Sequence, residues 1–490
     1  MLKHLIKSSV IVGGAQVLAK GIGFLTTLLL VRLLSPENYG KYLLVMSVYG
    51  LVSGLLNFRF YQGVVRYISV NKGNNRAVLD IIKSSFILEI IVGIISVLVI
   101  WFASEYFAVK FIKDITASGF IRFGVILVFF GVLFRNFAAL FQALEKFWQY
   151  TMTNLMAPVL FSLLILGIFI LSKSTTIKAM LSGQIIVSFI TLIIVSVFLW
   201  KIIKAVPTVD SAVADLEGWT KKLFLFSILP FVNASISTLV YSADTYLIAY
   251  FMAPAMVAYY SIGYSFSKAI SMISGPVTTV LYPRLGEEYG KGNMEFLQRV
   301  YHAYPKYLAL LFSPVVVILY VFSPMIISLF YTSKYISSVQ VFRIWLFVML
   351  VYQMGGVCSI ILLTLKKQHI ITVSSTINLV LLFVFGVILI PLYGITGAAI
   401  SALISYAASF LYVMMFTAKH INTKVNLFEL LITVFCALIY LLIKQAIFPN
   451  APVHSQIISI IVFSFLYFWI AKHFIISTQE WDFIKNIFKQ

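Results

Sequence analysis

Ser84–Phe107 reads SSFILEIIVGIISVLVIWFASEYF, an apolar run broken by only two charges, Glu89 and Glu105. A helix rises about 1.5 Å per residue, so about 20 such residues cross a hydrocarbon core about 30 Å thick. Within that core the backbone must satisfy its own hydrogen bonds, and a helix does so. Runs of the same kind recur from Ser9 to Ile475 and leave no room for a soluble domain. Across the 490 residues 61% are apolar and 11% charged, whereas soluble domains carry about 25% charged residues. The surplus apolar surface must face lipid.

Reading outward from this run, the first six spans are Ser9–Leu33, Tyr42–Tyr61, Ser84–Phe107, Phe120–Phe141, Thr151–Leu171 and Met180–Leu199. After a polar stretch come Leu223–Phe251, Ala255–Tyr282, Tyr307–Phe330, Phe342–Leu365, Ile371–Ile390 and Ile395–Phe416. Leu427–Ile447 and Ile457–Ile475 close the series. The expected architecture is an all-α polytopic membrane protein of about fourteen transmembrane helices. Its divisions are an N-terminal six-helix lobe over 1–206, a cytoplasmic linker over 207–222, a second six-helix lobe over 223–420, and two additional helices with a cytoplasmic tail over 421–490. Lys3 and Lys7 precede an apolar run that reaches Leu33 without a small-x-small cleavage site, so this run reads as a retained span and not as a signal peptide.

Charge sets the orientation. The net charge of +20 is spread in short clusters between spans instead of along one stripe, which points to membrane topology and away from nucleic acid. The clusters are Arg66, Lys72, Arg76 and Lys83; Lys201, Lys204, Lys221 and Lys222; Arg284, Lys291, Arg299 and Lys306; and Lys366 with Lys367. Placing the N-terminus in the cytoplasm puts about 24 basic residues inside and about 10 outside, so both termini are expected to be cytoplasmic.

The halves also match internally. Ser35-Pro36 followed by Gly40-Lys41-Tyr42 corresponds to Ala253-Pro254 followed by Ala258-Tyr259-Tyr260, and Arg66 and Arg284 stand at the same offset from their prolines. Six spans separate the copies, so they run in the same direction through the membrane, and such a duplication leaves a cavity between two bundles.

Charges deep in a span are costly and mark protein interiors or water-filled paths. Lys20 and Lys268 lie near the middle of the first and eighth spans, too deep to snorkel, and are candidate substrate-binding cations; a structural lysine paired with a carbonyl or carboxylate is the other reading. Asp244 is either such a carboxylate or an ion-coupling site. Arg59, near the cytoplasmic end of the second span, joins the candidate substrate-binding residues, and Glu89, a turn or two into the third, joins the candidate coupling residues, with an ion pair as their simple alternative. Arg135 reads as interfacial. Cys358 and Cys436 sit in apolar runs without His or Cys at metal-ligand spacing and read as core residues, with no metal indicated. Neither a G-x-x-x-x-G-K-[ST] loop nor H-E-x-x-H occurs, and the outer turns are short, so no enzyme is expected.

Ala19-Lys20-Gly21-Ile22-Gly23-Phe24, Arg32-Leu33-Leu34-Ser35-Pro36-Glu37-Asn38-Tyr39-Gly40-Lys41-Tyr42 and Ile390-Pro391-Leu392-Tyr393-Gly394-Ile395-Thr396-Gly397-Ala398-Ala399 resemble the Wzx-type polysaccharide flippases, of the superfamily that also holds the MATE exporters and the lipid II flippase. The resemblance spans essentially the whole chain. It implies two lobes around a cavity that opens alternately to each side of a bacterial inner membrane. The substrate it implies is undecaprenyl diphosphate-linked oligosaccharide, and the implied partners are a polysaccharide polymerase and its chain-length machinery. In the related lipid II flippases a basic residue is expected just before a similar Gly-Phe, which corresponds to Lys20, and another in the eighth span, which corresponds to Lys268. No cofactor is implied; a proton or sodium gradient is the candidate energy source. The alternative is a MATE-like ion-coupled exporter of small molecules with Asp244 as its coupling site, although a basic cavity repels cationic drugs.

Overall fold

Ser35 and Pro36 begin a membrane-crossing helix by two local devices. The Ser35 hydroxyl accepts from the Asn38 N–H, and Pro36 occupies a first-turn position where a missing N–H costs nothing. The computed structural model describes residues 18–19, 21–71, 73–172, 174–204, 215–268, 274–425 and 453–470. Their elements are α1 (Gly21–Leu33), α2 (Pro36–Leu55), α3 (Phe60–Val70), α4 (Asn75–Phe107), α5 (Ala117–Gly124), α6 (Ile126–Ala143), α7 (Phe147–Leu171), α8 (Ile177–Lys204), α9 (Leu216–Phe251), α10 (Pro254–Lys268), α11 (Ser274–Gly290), α12 (Met294–Val321), α13 (Ser323–Tyr331), α14 (Ser338–Thr364), α15 (Gln368–His420) and α16 (Val453–Ile470). Among the described residues seven helices are long and apolar enough to cross a membrane, or nine when each of two bent pairs counts as one span. The fold is therefore all-α and polytopic. The expected span Leu427–Ile447 and Cys436 lie outside the described residues.

Three of the long helices differ from the straight spans read in the sequence. Tyr42–Tyr61 is not one rod: α2 and α3 meet at a bend of 48°, and α3 carries the chain on to Val70. Arg59 makes this break, with φ 54° and ψ 35°, and its N–H is taken by the Asn57 side-chain oxygen. Within α9, Leu216–Ile228 and Pro230–Phe251 meet at 46°, where the Pro230 ring removes a helical hydrogen bond. Conversely, the eleventh and twelfth spans form one element, α15, in which Gly394 (φ 60°, ψ −140°) is non-helical. A Cβ at Gly397 would overlap the Leu389 carbonyl. Eight residues of straight helix would separate those positions by about 12 Å, so the chain doubles back here and α15 holds two spans joined by a tight turn.

The chain falls into two compact units, residues 1–258 and 259–490. The sequence halves divide at 206 and 223, whereas α9 packs on α2, α3 and α4 and belongs structurally with the first unit. At the end of that unit a Cβ on Gly40 would overlap the Pro254 carbonyl. The two prolyl motifs of the internal match thus touch, and only glycine allows that approach.

In the first unit, Phe60, Val64, Ile68, Leu88, Val92, Leu133, Phe137 and Leu140 interlock α3, α4 and α6. In the second, α16 is held on α12 through Leu310, Val317, Val321, Ile460, Phe463 and Tyr467. Lipid-facing surface is correspondingly apolar: Trp101, Phe102, Leu171, Phe465 and Leu466 are all exposed, as expected of a chain whose solvent is hydrocarbon. Cys358 is fully buried in the core of the second unit.

Candidate functional site: a charged break in the first unit

The α2–α3 break surrounds a polar cluster at membrane depth. Arg135, on α6, donates from Nη1 to the Ser53 hydroxyl (3.1 Å), one turn before the break. Tyr61, just after the break, and Glu89, on α4, interact electrostatically with the same guanidinium. Glu89 is 5% exposed and Asn136, the neighbour of Arg135, is wholly buried. Thus one arginine is hydrogen-bonded to the helix before the break and acts at longer range on Tyr61 after it and on a buried carboxylate.

The cluster has hydrogen-bonding capacity to spare. Arg59 Nε, Arg135 Nε and both side-chain polar atoms of Asn136 are buried with no hydrogen-bond partner among the described residues. A buried polar atom left unsatisfied costs about 1–3 kcal/mol, more when charged, so these groups are positioned to bind something that the described residues do not supply. A guanidinium donor suits an oxyanion in charge and in geometry. Aromatic packing fixes the break: the rings of Phe58 and Phe231 stack at 4.2 Å and those of Phe58 and Phe60 at 5.5 Å.

Lys20 lies outside the described residues. Lys268 ends the described part of α10, where it is exposed, with its Nζ 5.5 Å from the centre of the Tyr264 ring one turn earlier. Asp244 is half-buried on α9. Arg59 stands in the break as the N-cap of α3, with the helix Phe60–Val70 running on beyond it; Glu89 is fourteen residues into α4, about 21 Å along its axis. Arg135, read in the sequence only as interfacial, is half-buried near the middle of α6 and joins this cluster. The signal was present: Glu89 and Arg135 lie five and six residues from the adjoining-side ends of the expected spans Ser84–Phe107 and Phe120–Phe141.

A second ionic cluster joins the start of α2 to the turn after α4. Lys41 Nζ donates to Asp114 Oδ2 (2.8 Å) and lies 3.2 Å from Glu37 Oε1. The lysine, together with the Thr116 hydroxyl and N–H, holds the Asp114 carboxyl down at about 2.

Comparison with known proteins gives the fold a wider setting. The profile of a family described as polysaccharide biosynthesis protein matches residues 29–340. An uncharacterized membrane protein of Methanocaldococcus jannaschii is 22% identical, covering 96% of each chain. Among solved structures, the lipid II flippase MurJ in an inward closed conformation superposes with a TM-score of 0.68 at 15% identity, over 94% of this chain and 98% of that one. An inward-facing multidrug resistance MATE family transporter of the MOP superfamily gives 0.66 at 15% identity, over 82% and 94%. At these identities the two likenesses establish the fold.

Proposed function

This chain belongs to the polysaccharide biosynthesis protein family and is a multi-pass membrane protein, and we propose that it is a transporter that flips undecaprenyl diphosphate-linked oligosaccharide from the cytoplasmic to the outer leaflet of a bacterial inner membrane by alternating access. The observation that carries this reading is the set of buried cationic donors at the α2–α3 break, where Arg59 Nε and Arg135 Nε have no hydrogen-bond partner among the described residues. A diphosphate leaving water for a low-dielectric interior needs such donors. Lys268 supplies a further cation in the second unit, and Lys20 another in the first span. Lysine offers a point charge that releases the diphosphate again.

In the same reading Glu89 and Asp244 are the carboxylates through which a proton or sodium gradient drives return of the empty carrier. Both termini and the 201–222 stretch lie in the cytoplasm, as the basic clusters require; a periplasmic reporter signal from any of them refutes that orientation. Polymerase and chain-length proteins receive the product at the outer face.

The test is complementation of a deletion strain, with surface polysaccharide and membrane protein level both measured. A charge pair at about 4 Å in an effective dielectric near 20 is worth about 4 kcal/mol. Arg59→Glu, Lys20→Glu and Lys268→Glu, each of which sets a carboxylate against the phosphates, are therefore expected to abolish transport, while Lys268→Arg retains part of it. Normal polysaccharide from normally inserted Glu variants refutes the cationic mechanism.

A further inference from the structure

The internal match extends beyond the prolines to an arginine arrangement that occurs once in each unit. In the first unit Arg122, the sixth residue of α5, donates from Nε to the Ser104 hydroxyl (2.8 Å), and its guanidinium lies 5.7 Å from the centre of the Trp101 ring. In the second, Arg343, the sixth residue of α14, donates from Nε to the Ser323 hydroxyl (2.8 Å), and its guanidinium lies 4.6 Å from the centre of the Tyr320 ring. The partners correspond in sequence as well. Trp101 to Tyr320, Ser104 to Ser323, and Asn74 to Asn293, the caps that start α4 and α12, are equal steps along the chain.

The copies differ at the outer edge of the guanidinium. In the first unit Glu105 follows Ser104, and Arg122 donates from Nη2 to its Oε1 at 2.8 Å. In the second, Pro324 follows Ser323 and has no side-chain acceptor, and no Asp or Glu occurs between Glu295 and Glu429. Arg343 donates from Nε to Ser323 and to the Tyr320 carbonyl, while its Nη1 and Nη2 make no hydrogen bond among the described residues. One copy therefore holds an oxyanion of its own, and the other presents the same half-buried cation without one.

Depth selects the oxyanion. Arg343 lies five residues after the first residue of α14, about 7.5 Å along the axis, and the headgroup layers add about 5–8 Å to each side of the hydrocarbon core. A long cationic side chain at that depth reaches headgroup level. Lys334, in the turn before α14, puts a second, exposed cation at the same end, and Met325 on α13 is exposed apolar surface.

We propose that Arg343 binds the phosphate of an anionic membrane phospholipid in the place that Glu105 fills on Arg122, with Ser323 and Tyr320 as positioning residues. A phosphodiester presents two oxygens, which suit the two terminal nitrogens of a planar guanidinium. The acyl chains then follow the apolar surface of α13. This site lies wholly in the second unit and is independent of what the protein transports.

The experiment titrates the purified full chain, delipidated in dodecyl maltoside, with phosphatidylglycerol and counts bound lipid by native mass spectrometry. Arg343→Gln should weaken the tightest binding about tenfold, which is about 1.4 kcal/mol. Pro324→Glu tests the same point with the arginine intact: it supplies the missing carboxylate in the first turn of α13, a position that favours acidic residues, and should weaken binding as much. Glu105→Gln should do the reverse in the first unit and add one bound lipid. Binding that survives both Arg343→Gln and Pro324→Glu overturns the site, and a Glu105→Gln protein that gains no lipid overturns the equivalence of the two copies on which it rests. Displacement of phosphatidylglycerol by inorganic phosphate at equal concentration reveals a site for small anions, and displacement by stoichiometric undecaprenyl diphosphate reveals one for the carrier lipid; either result overturns the phospholipid assignment.

Discussion

Replacing Arg135 with leucine should destabilise the first unit, and a second substitution should undo most of the damage. Arg135 is the cation that acts electrostatically on Glu89, a carboxylate 5% exposed within α4. Glu89 and Arg135 form no ion pair within 4 Å, and two unit charges beyond that separation in an effective dielectric near 20 interact by less than about 4 kcal/mol. Removing one member of a buried pair costs about 3–5 kcal/mol because the other charge stays buried alone. Arg135→Leu is therefore expected to lose about 3 kcal/mol or more, including the hydrogen bond to Ser53. Glu89→Gln added to Arg135→Leu removes the stranded charge and should recover at least half of the loss. The assay is reversible unfolding in mixed micelles by titration with a denaturing detergent, on wild type, both single variants and the double variant. An Arg135→Leu protein within about 1 kcal/mol of wild type, or a double variant no more stable than Arg135→Leu, refutes the coupling across the break.

Two further outcomes follow from other parts of the structure. Gly40→Val should fail to yield monodisperse protein, since the new side chain meets the rigid Pro254 carbonyl, whereas Gly131→Ala, which meets nothing within 4 Å, should be neutral or gain up to about 1 kcal/mol; size-exclusion profiles of both variants decide it. Asp114 has its carboxyl held at about 2 against an ordinary 3.8, so its pair with Lys41 contributes above pH 3.8 and is lost as pH falls through about 2. Asp114→Asn should thus cost about 1 kcal/mol near pH 7 and only a small part of that at pH 2, as measured by thermal unfolding; an equal cost at both values removes the ionic account.

The spans were legible where hydrophobic length alone decides structure. Thr151–Leu171 and Met180–Leu199 fall inside α7 and α8, and the gap from Ile390 to Ile395 falls on the turn at Gly394, because proline and two glycines mark that reversal in the sequence itself. The break at Arg59 carried no such mark. An arginine with positive φ is locally unfavourable, and it is sustained here by the Asn57 cap and the stacked rings of Phe58, Phe60 and Phe231, which are tertiary contacts invisible to a window of hydropathy. Arg135 was misread for a related reason: distance to the end of a span estimates the reach of a side chain to water, but not whether Glu89 and Ser53 wait beside it on neighbouring helices. The assignment of α9 to the first unit likewise depends on which faces dock, and the internal match divides the chain by ancestry instead.

The contact between Gly40 and Pro254 also bears on how the protein is made. Its two members leave the ribosome about 200 residues apart, which at about 5–20 residues per second separates them by roughly 10–40 s. During that interval α2 is already inserted but lacks one of its packing surfaces, and the glycine stands open to lipid. The first unit can therefore close only after most of its helices have entered the bilayer. A ribosome stalled between α2 and α10 leaves behind a half-built bundle whose exposed helix faces are natural clients for membrane chaperones and quality-control proteases.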